Sequence, residues 1–227
     1  MKLTTKKMIK GFTLVELLVV IAIIAALAAM ATPVIMKQQK KAAATTAVSN
    51  AKQVFLLMVE FDQDFGAFPN EATAASDDDL TAYTGSNSND FLGQFIAGGY
   101  TSSEEIFYAK AGSPTAGNPD NNVESQAETL KAGECGFAYV VNLSTSNNTG
   151  LPLLCAPMAD ETTFKPDPYD GKCVVLRIDG AVKQYRLKKT DATANVGGGK
   201  TLFDTDIWTN AQTVTGDAKA PTVVLPK

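Results

Sequence analysis

Histidine is absent from all 227 residues. That removes the usual general base near neutral pH and the commonest metal ligand. No Ser/His/Asp arrangement can be built. Cysteine is scarce, at Cys135, Cys155 and Cys173. The count is odd, so at most one intrachain pair forms and one thiol is left over. No CxxC is present, and a site with four cysteine ligands is excluded within one chain. An oxidising compartment would permit one disulfide; three buried reduced thiols fit the sequence equally well. GxxxxGK[ST] is missing too. Gly197-Gly198-Gly199-Lys200-Thr201 lacks the spacing of a phosphate loop and reads as a flexible loop. The formal net charge is −4, which argues against a general nucleic-acid binder, since that needs a basic surface.

Charge is also missing from one long stretch. Residues 12–36 read FTLVELLVVIAIIAALAAMATPVIM and carry a single charged side chain, Glu16. A secretory signal has an apolar core of about 7–15 residues and a small-residue cleavage site after it. The run here is longer and matches the roughly 20 residues needed to cross a bilayer as a helix. No AxA-like site follows it. Four lysines precede the run (Lys2, Lys6, Lys7 and Lys10), against Lys37, Lys40 and Lys41 just after it. That bias predicts a cytoplasmic N-terminus and an exported C-terminal part. A plain anchor has no evident use for Glu16, because a carboxylate in lipid is costly and signals function or a partner.

The stretch Lys10-Gly11-Phe12-Thr13-Leu14-Val15-Glu16, with the apolar run after it, resembles the leader motif of type IV prepilins and type II secretion pseudopilins. The resemblance covers residues 6–36. It implies that Gly11 is the last leader residue and that a membrane prepilin peptidase cuts between Gly11 and Phe12. The same enzyme would N-methylate the new amino terminus on Phe12. Removing the four leader lysines would take the net charge from −4 to about −8. Cleavage would place a cationic amine beside the apolar zone, with Glu16 as the opposite charge. Pairing within one helix or between neighbouring subunits lowers the cost of either charge alone. Between neighbours it would also set axial register. The assembly role thus falls to Glu16.

Beyond Pro33 the helix is predicted to continue. Ala44, Ala47, Val48, Ala51, Phe55, Met58 and Phe65 recur at spacings of three, four and seven and form one apolar face. Gly66 and Pro69 stop the helix near Asp62–Gly66. Pro33 itself predicts a kink; by resemblance, this is where some filaments melt locally. Phe68-Pro69 resembles the aromatic-proline pair that follows the long helix in major pseudopilins, the closest branch. Leu154-Cys155-Ala156-Pro157 with Asp160 is similar to a Cys-x-Pro element of some pseudopilin-like proteins.

The predicted organisation is a leader at 1–11, a membrane and polymerisation half-helix at 12–36, an amphipathic half at 37–65 and an exported domain at 66–227. Its sheet candidates lie in 136–189: GFAYVVNL, LPLLCAPM, KCVVLRI and AVKQYRL, the last two joined by the hairpin signal Asp179-Gly180. Val174, Leu176 and Ile178 would face the helix, with Val175 and Arg177 on a partly wet face. The tail from Thr190 would cover Phe203 and Trp208. The fold class expected is α+β and pilin-like, with a long helix on a small antiparallel sheet and long irregular loops.

No cofactor is called for. Calcium candidates are the oxygen-rich run Asp77, Asp78, Asp79, Asn87, Asn89 and Asp90, although DxDxDG spacing is absent. By resemblance to the calcium loop of major pseudopilins, Asp204 and Asp206 are candidates too. Three functions stay open. The first is a structural, non-enzymatic subunit of a type II secretion-like pseudopilus. The second is a type IV pilin for adhesion, motility or DNA uptake. The third is an exported binding or enzymatic module on a pilin-type anchor. The resemblance implies as partners copies of the chain, related pilin-like subunits, the peptidase/methylase and an inner-membrane assembly platform. It implies a single pass through the cytoplasmic membrane.

Overall fold

The computed structural model describes residues 13–111, 117–204 and 222–227. The chain divides into two compact units, Met1–Gln39 and Lys40–Lys227. One helix, α1 (Leu14–Phe65), has residues in both.

In the first unit α1 is rich in Leu, Ile and Ala, and it passes through Pro33 without interruption. Pro33 has no amide hydrogen to donate. One turn back, the Thr32 hydroxyl donates to the Ala28 carbonyl at 2.8 Å, a bond that keeps a polar group satisfied inside the helix.

In the second unit the buried stripe of α1 is Ala44, Ala47, Ala51, Val54, Met58 and Phe61. The steps alternate three and four, as a 3.6-residue turn requires. Val48, Phe55 and Phe65 flank the stripe and are only partly buried. The predicted face is therefore corrected at its centre: Val54 and Phe61 belong there. The small side chains of Ala44, Ala47 and Ala51 let the helix approach its neighbours closely. Gly66 ends the helix at φ 72°, its amide donating to Asp62 O at 2.8 Å, a conformation that costs glycine little.

After the helix the chain is tied down at once. The Phe68 amide donates to Leu143 O at 2.9 Å, and the Tyr139 hydroxyl donates to Pro69 O at 2.8 Å. Asn70 caps the short helix α2 (Glu71–Ser76) in a reciprocal capping box with Thr73. Helix α3 (Ser88–Ala97) is capped by Asn87 and is largely buried. The Gln94 amide, fully buried, donates to the carbonyls of Asn70 and Tyr83 and accepts from the Thr73 hydroxyl. A 3-10 turn follows at Glu105–Phe107.

The strands of the main sheet are β1 (Ala138–Val141), β2 (Pro152–Ala156), β3 (Lys172–Arg177), β4 (Val182–Arg186) and β7 (Thr222–Val224). They pair antiparallel in the order β4-β3-β2-β1-β7. A separate hairpin is made of β5 (Asn195–Gly197) and β6 (Lys200–Thr201). The Asp179-Gly180 turn joins β3 to β4 as predicted, with Gly180 at φ 75°. A Cβ there would come within 2.5 Å of the Phe55 ring, so the turn also packs on the helix.

Three expectations are corrected. Val174, Leu176 and Ile178 do join α1 and α3 in the larger core. The opposite face, however, is not wet at β3. Cys173 and Val175 pack with Ala138, Cys155, Met158 and Phe164 in a second, smaller core. Ala194 and Leu202, beside the β5–β6 hairpin, close it. The tail thus covers Leu202 fully and Phe203 only in part, Phe203 stacking on Phe164 with ring centroids 6.4 Å apart. Trp208 lies outside the described residues. The predicted sheet region also omitted β7, which pairs with β1 through Tyr139, Val140 and Val141.

Candidate functional site: an uncovered apolar helix with a capped start

Among the described residues, large hydrophobic side chains are exposed along the start of α1 and almost nowhere else: fourteen of the fifteen exposed ones lie between Leu14 and Met36, the other being Leu56. Leu14 is 78% exposed and Met30 75%. The exposure runs all round the helix. Leaving a side chain of this size in water costs about 1.5–3 kcal/mol relative to burying it. An apolar surface with no polar face belongs in lipid or against other apolar helices. Among the described residues this is the one helix long and apolar enough to cross a membrane.

The polar groups at the start of this surface form a closed local set. Thr13 stands just before the first helical residue. Its amide donates to Glu16 Oε2 at 2.9 Å and its hydroxyl donates to the same oxygen at 2.7 Å. The Glu16 amide donates back to Thr13 Oγ1 at 3.3 Å. This is the reciprocal capping box of a helix start, with threonine as N-cap and glutamate three residues on. Glu16 therefore has a structural use that the sequence reading missed, and the signal Thr-x-x-Glu was there to be read. It serves an anchor as well as a filament. Both Thr13 bonds fall on Oε2, so Oε1 stands outside the pair. Gly11 and Phe12, the residues of the predicted cleavage and methylation, lie outside the described residues.

The oxygen-rich run between α2 and α3 is not gathered into one site. Asp77 Oδ1 accepts from the Asp79 amide, and Asn87 caps α3. Asn89 is buried; it donates to Leu130 O and accepts from the Lys227 amide at 2.9 Å. Asp90 pairs with the Lys227 ammonium at 2.7 Å. These last residues hold the C-terminal segment in place. Asp204 accepts from the amide and the hydroxyl of Thr201, and Asp206 lies outside the described residues. The carboxylates that do converge are Glu104, Asp120 and Glu134, with one oxygen from each lying within 4.8 Å of the others. Spacings of sixteen and fourteen residues in irregular chain left no sequence signal for this group.

Cys135, Cys155 and Cys173 are all buried and free. Burial pushes the Cys135 thiol up to about 11 and that of Cys173 up to about 12. The Cys155 thiol is raised well above its ordinary value, again chiefly by burial. None carries a thiolate for nucleophilic chemistry near neutral pH.

Residues 6–32 match the family model described as the prokaryotic N-terminal methylation motif. The chain carries an N-terminal prepilin methylation motif. The motif and the single long apolar helix are consistent with the broad pilin and pseudopilin family, and so is the packing of the Lys40–Phe65 half on a small antiparallel sheet. Neither the curated proteins nor the solved structures provide a match.

Proposed function

We propose that the chain is a structural subunit of a membrane-anchored, type II secretion-like pseudopilus. The observation that carries the reading is the methylation motif at 6–32, which runs into and through the start of an apolar helix uncovered on every side. In this reading a prepilin peptidase removes residues 1–11 and methylates Phe12. The helix rests in the cytoplasmic membrane until the assembly platform lifts it into a filament. There residues 12–36 pack against the same segment of neighbouring subunits and leave lipid without meeting water. Glu16 caps its own helix through Oε2 and offers its remaining acceptor capacity to the Phe12 amine of a neighbour. The cost of two apolar-embedded charges falls when they pair.

The secretion reading is supported by the aromatic-proline pair after α1. Phe68 is fully buried and Pro69 O is held by the Tyr139 hydroxyl, so this pair fastens the helix end to β1. The partners in this reading are copies of the chain, related pilin-like subunits, the peptidase/methylase and the platform.

Crosslinking in the native membrane tests the polymer. A pair of cysteines placed in the same chain, at Leu18 and Ile24, should yield ladders of crosslinked subunits when the assembly ATPase is present, and only monomer and dimer when it is inactive. The same monomer pattern in both cases would refute the filament role.

A further inference from the structure

Glu104 is fully buried, and one of its carboxylate oxygens has no partner. Its Oε1 accepts the Leu130 amide at 2.7 Å. Its Oε2 is buried without any hydrogen bond among the described residues. A buried, unsatisfied carboxylate oxygen is costly and calls for an explanation. The same side chain is a member of the group formed with Asp120 and Glu134.

The other members are held so that they present oxygen to the same space. Glu134, also buried, is fixed by the Lys131 amide on Oε2 at 2.6 Å. Asp120, at the exposed mouth, is fixed by the Asn122 amide on Oδ1 at 2.8 Å. Each carboxylate is thus anchored to backbone through one oxygen. Among the described residues, the cation paired with this group is the Lys131 ammonium, 2.8 Å from Asp120 Oδ2 and 2.8 Å from Glu128 Oε2. It reaches neither buried glutamate by an ion pair, so among the described residues the three clustered carboxylates share one paired ammonium at the rim.

We propose that Glu104, Asp120 and Glu134 form a calcium site that cross-links the irregular chain between α3 and β1. The donors are all oxygen, which selects a hard cation over zinc or copper. Calcium takes its oxygens from carboxylates, carbonyls and water in flexible geometry, whereas magnesium demands near-ideal octahedral geometry and dehydrates reluctantly, so a partly buried, carboxylate-rich group favours calcium. On binding, the ion takes the free oxygen of Glu104 and displaces Lys131 from Asp120. Lys131 stays paired with Glu128. The site is separate from Asp77–Asp79 and from Asp204, and it does not depend on the filament reading.

The test uses the full-length chain in detergent, stripped with EGTA and titrated with calcium chloride by equilibrium dialysis and by thermal unfolding. The expected result is one calcium per chain, with Kd of about 10⁻⁴–10⁻³ M, the range of extracellular modules, and a Tm that rises with calcium but not with equal magnesium. Glu104→Gln should stay folded, because it keeps the shape of the side chain and an oxygen for the Leu130 amide, and should bind at least about tenfold more weakly. Asp120→Asn changes an exposed side chain and should do the same, so it carries the test alone if Glu104→Gln does not fold. Asp204→Asn should bind as the unaltered chain does. No bound calcium at about 10 mM, far above that range, or undiminished binding in the variants at positions 104 and 120, would overturn the proposal.

Discussion

Thr13 and Glu16 bond to each other in both directions, hydroxyl and amide to carboxylate at 2.7 and 2.9 Å and amide to hydroxyl at 3.3 Å. The pair gives Glu16 two separable tasks. Capping needs only an oxygen acceptor, which glutamine also supplies. Pairing with a neighbour's amine needs the charge.

The two tasks predict different outcomes for two substitutions. Glu16→Gln should keep the cap, membrane insertion and leader processing, and should lose polymer. Glu16→Ala should lose polymer and also weaken the helix start, by about 0.5–2 kcal/mol if a lost glutamate costs what a lost cap does. Polymer is compared with membrane-bound monomer after shearing, with each variant as the only copy. Normal polymer from Glu16→Gln would leave capping as the whole role of Glu16.

The packing of α1 predicts a contrast between two phenylalanines. Phe61 is fully buried, stacked on Phe65 and edge-on to Phe95. Phe61→Ala should cost about 3–5 kcal/mol. Phe55 is partly buried at the rim, where it packs against Gly180, and Phe55→Ala should cost less. Urea unfolding of residues 40–227 measures both. Equal losses would mean that the stripe is centred elsewhere.

That contrast also marks how far the sequence could be read. The helix, its stop at Gly66 and the Asp179-Gly180 hairpin were legible, because period and turn chemistry are local. The centre of the stripe was misread because Phe55 and Phe65 drew weight from Val54 and Phe61. The second core was hidden because covering the far face of β3 requires Met158, Phe164 and Leu202 to meet across distant chain. Strand β7 was hidden for the same reason: three residues near the C-terminus say nothing of their partner β1. The motif was legible as a whole, whereas the Glu104 group existed only once the chain had folded.

Asp160 should titrate unusually low. The Thr163 hydroxyl, then the amide of Thr162, hold its carboxyl down to about 2, against an ordinary 3.8. A depressed carboxylate contributes stability that is present above its unfolded value and lost as pH falls through its folded one. The turn leading into Phe164 should therefore loosen between about pH 4 and 2, the interval between those two values. Carboxyl chemical shifts of residues 40–227 should show an Asp160 midpoint near 2. A midpoint near 3.8 would contradict these bonds.

The central claim is that this chain is a processed pilin-like subunit, and intact mass tests it most directly. Protein extracted from membranes that contain the prepilin peptidase should have the mass of residues 12–227 plus one methyl group, with the methyl on the Phe12 amine in the N-terminal peptide. Gly11→Leu, which crowds the scissile backbone, should leave the full-length mass. A mature chain that keeps residues 1–11, or one that begins beyond Pro33, would contradict the account.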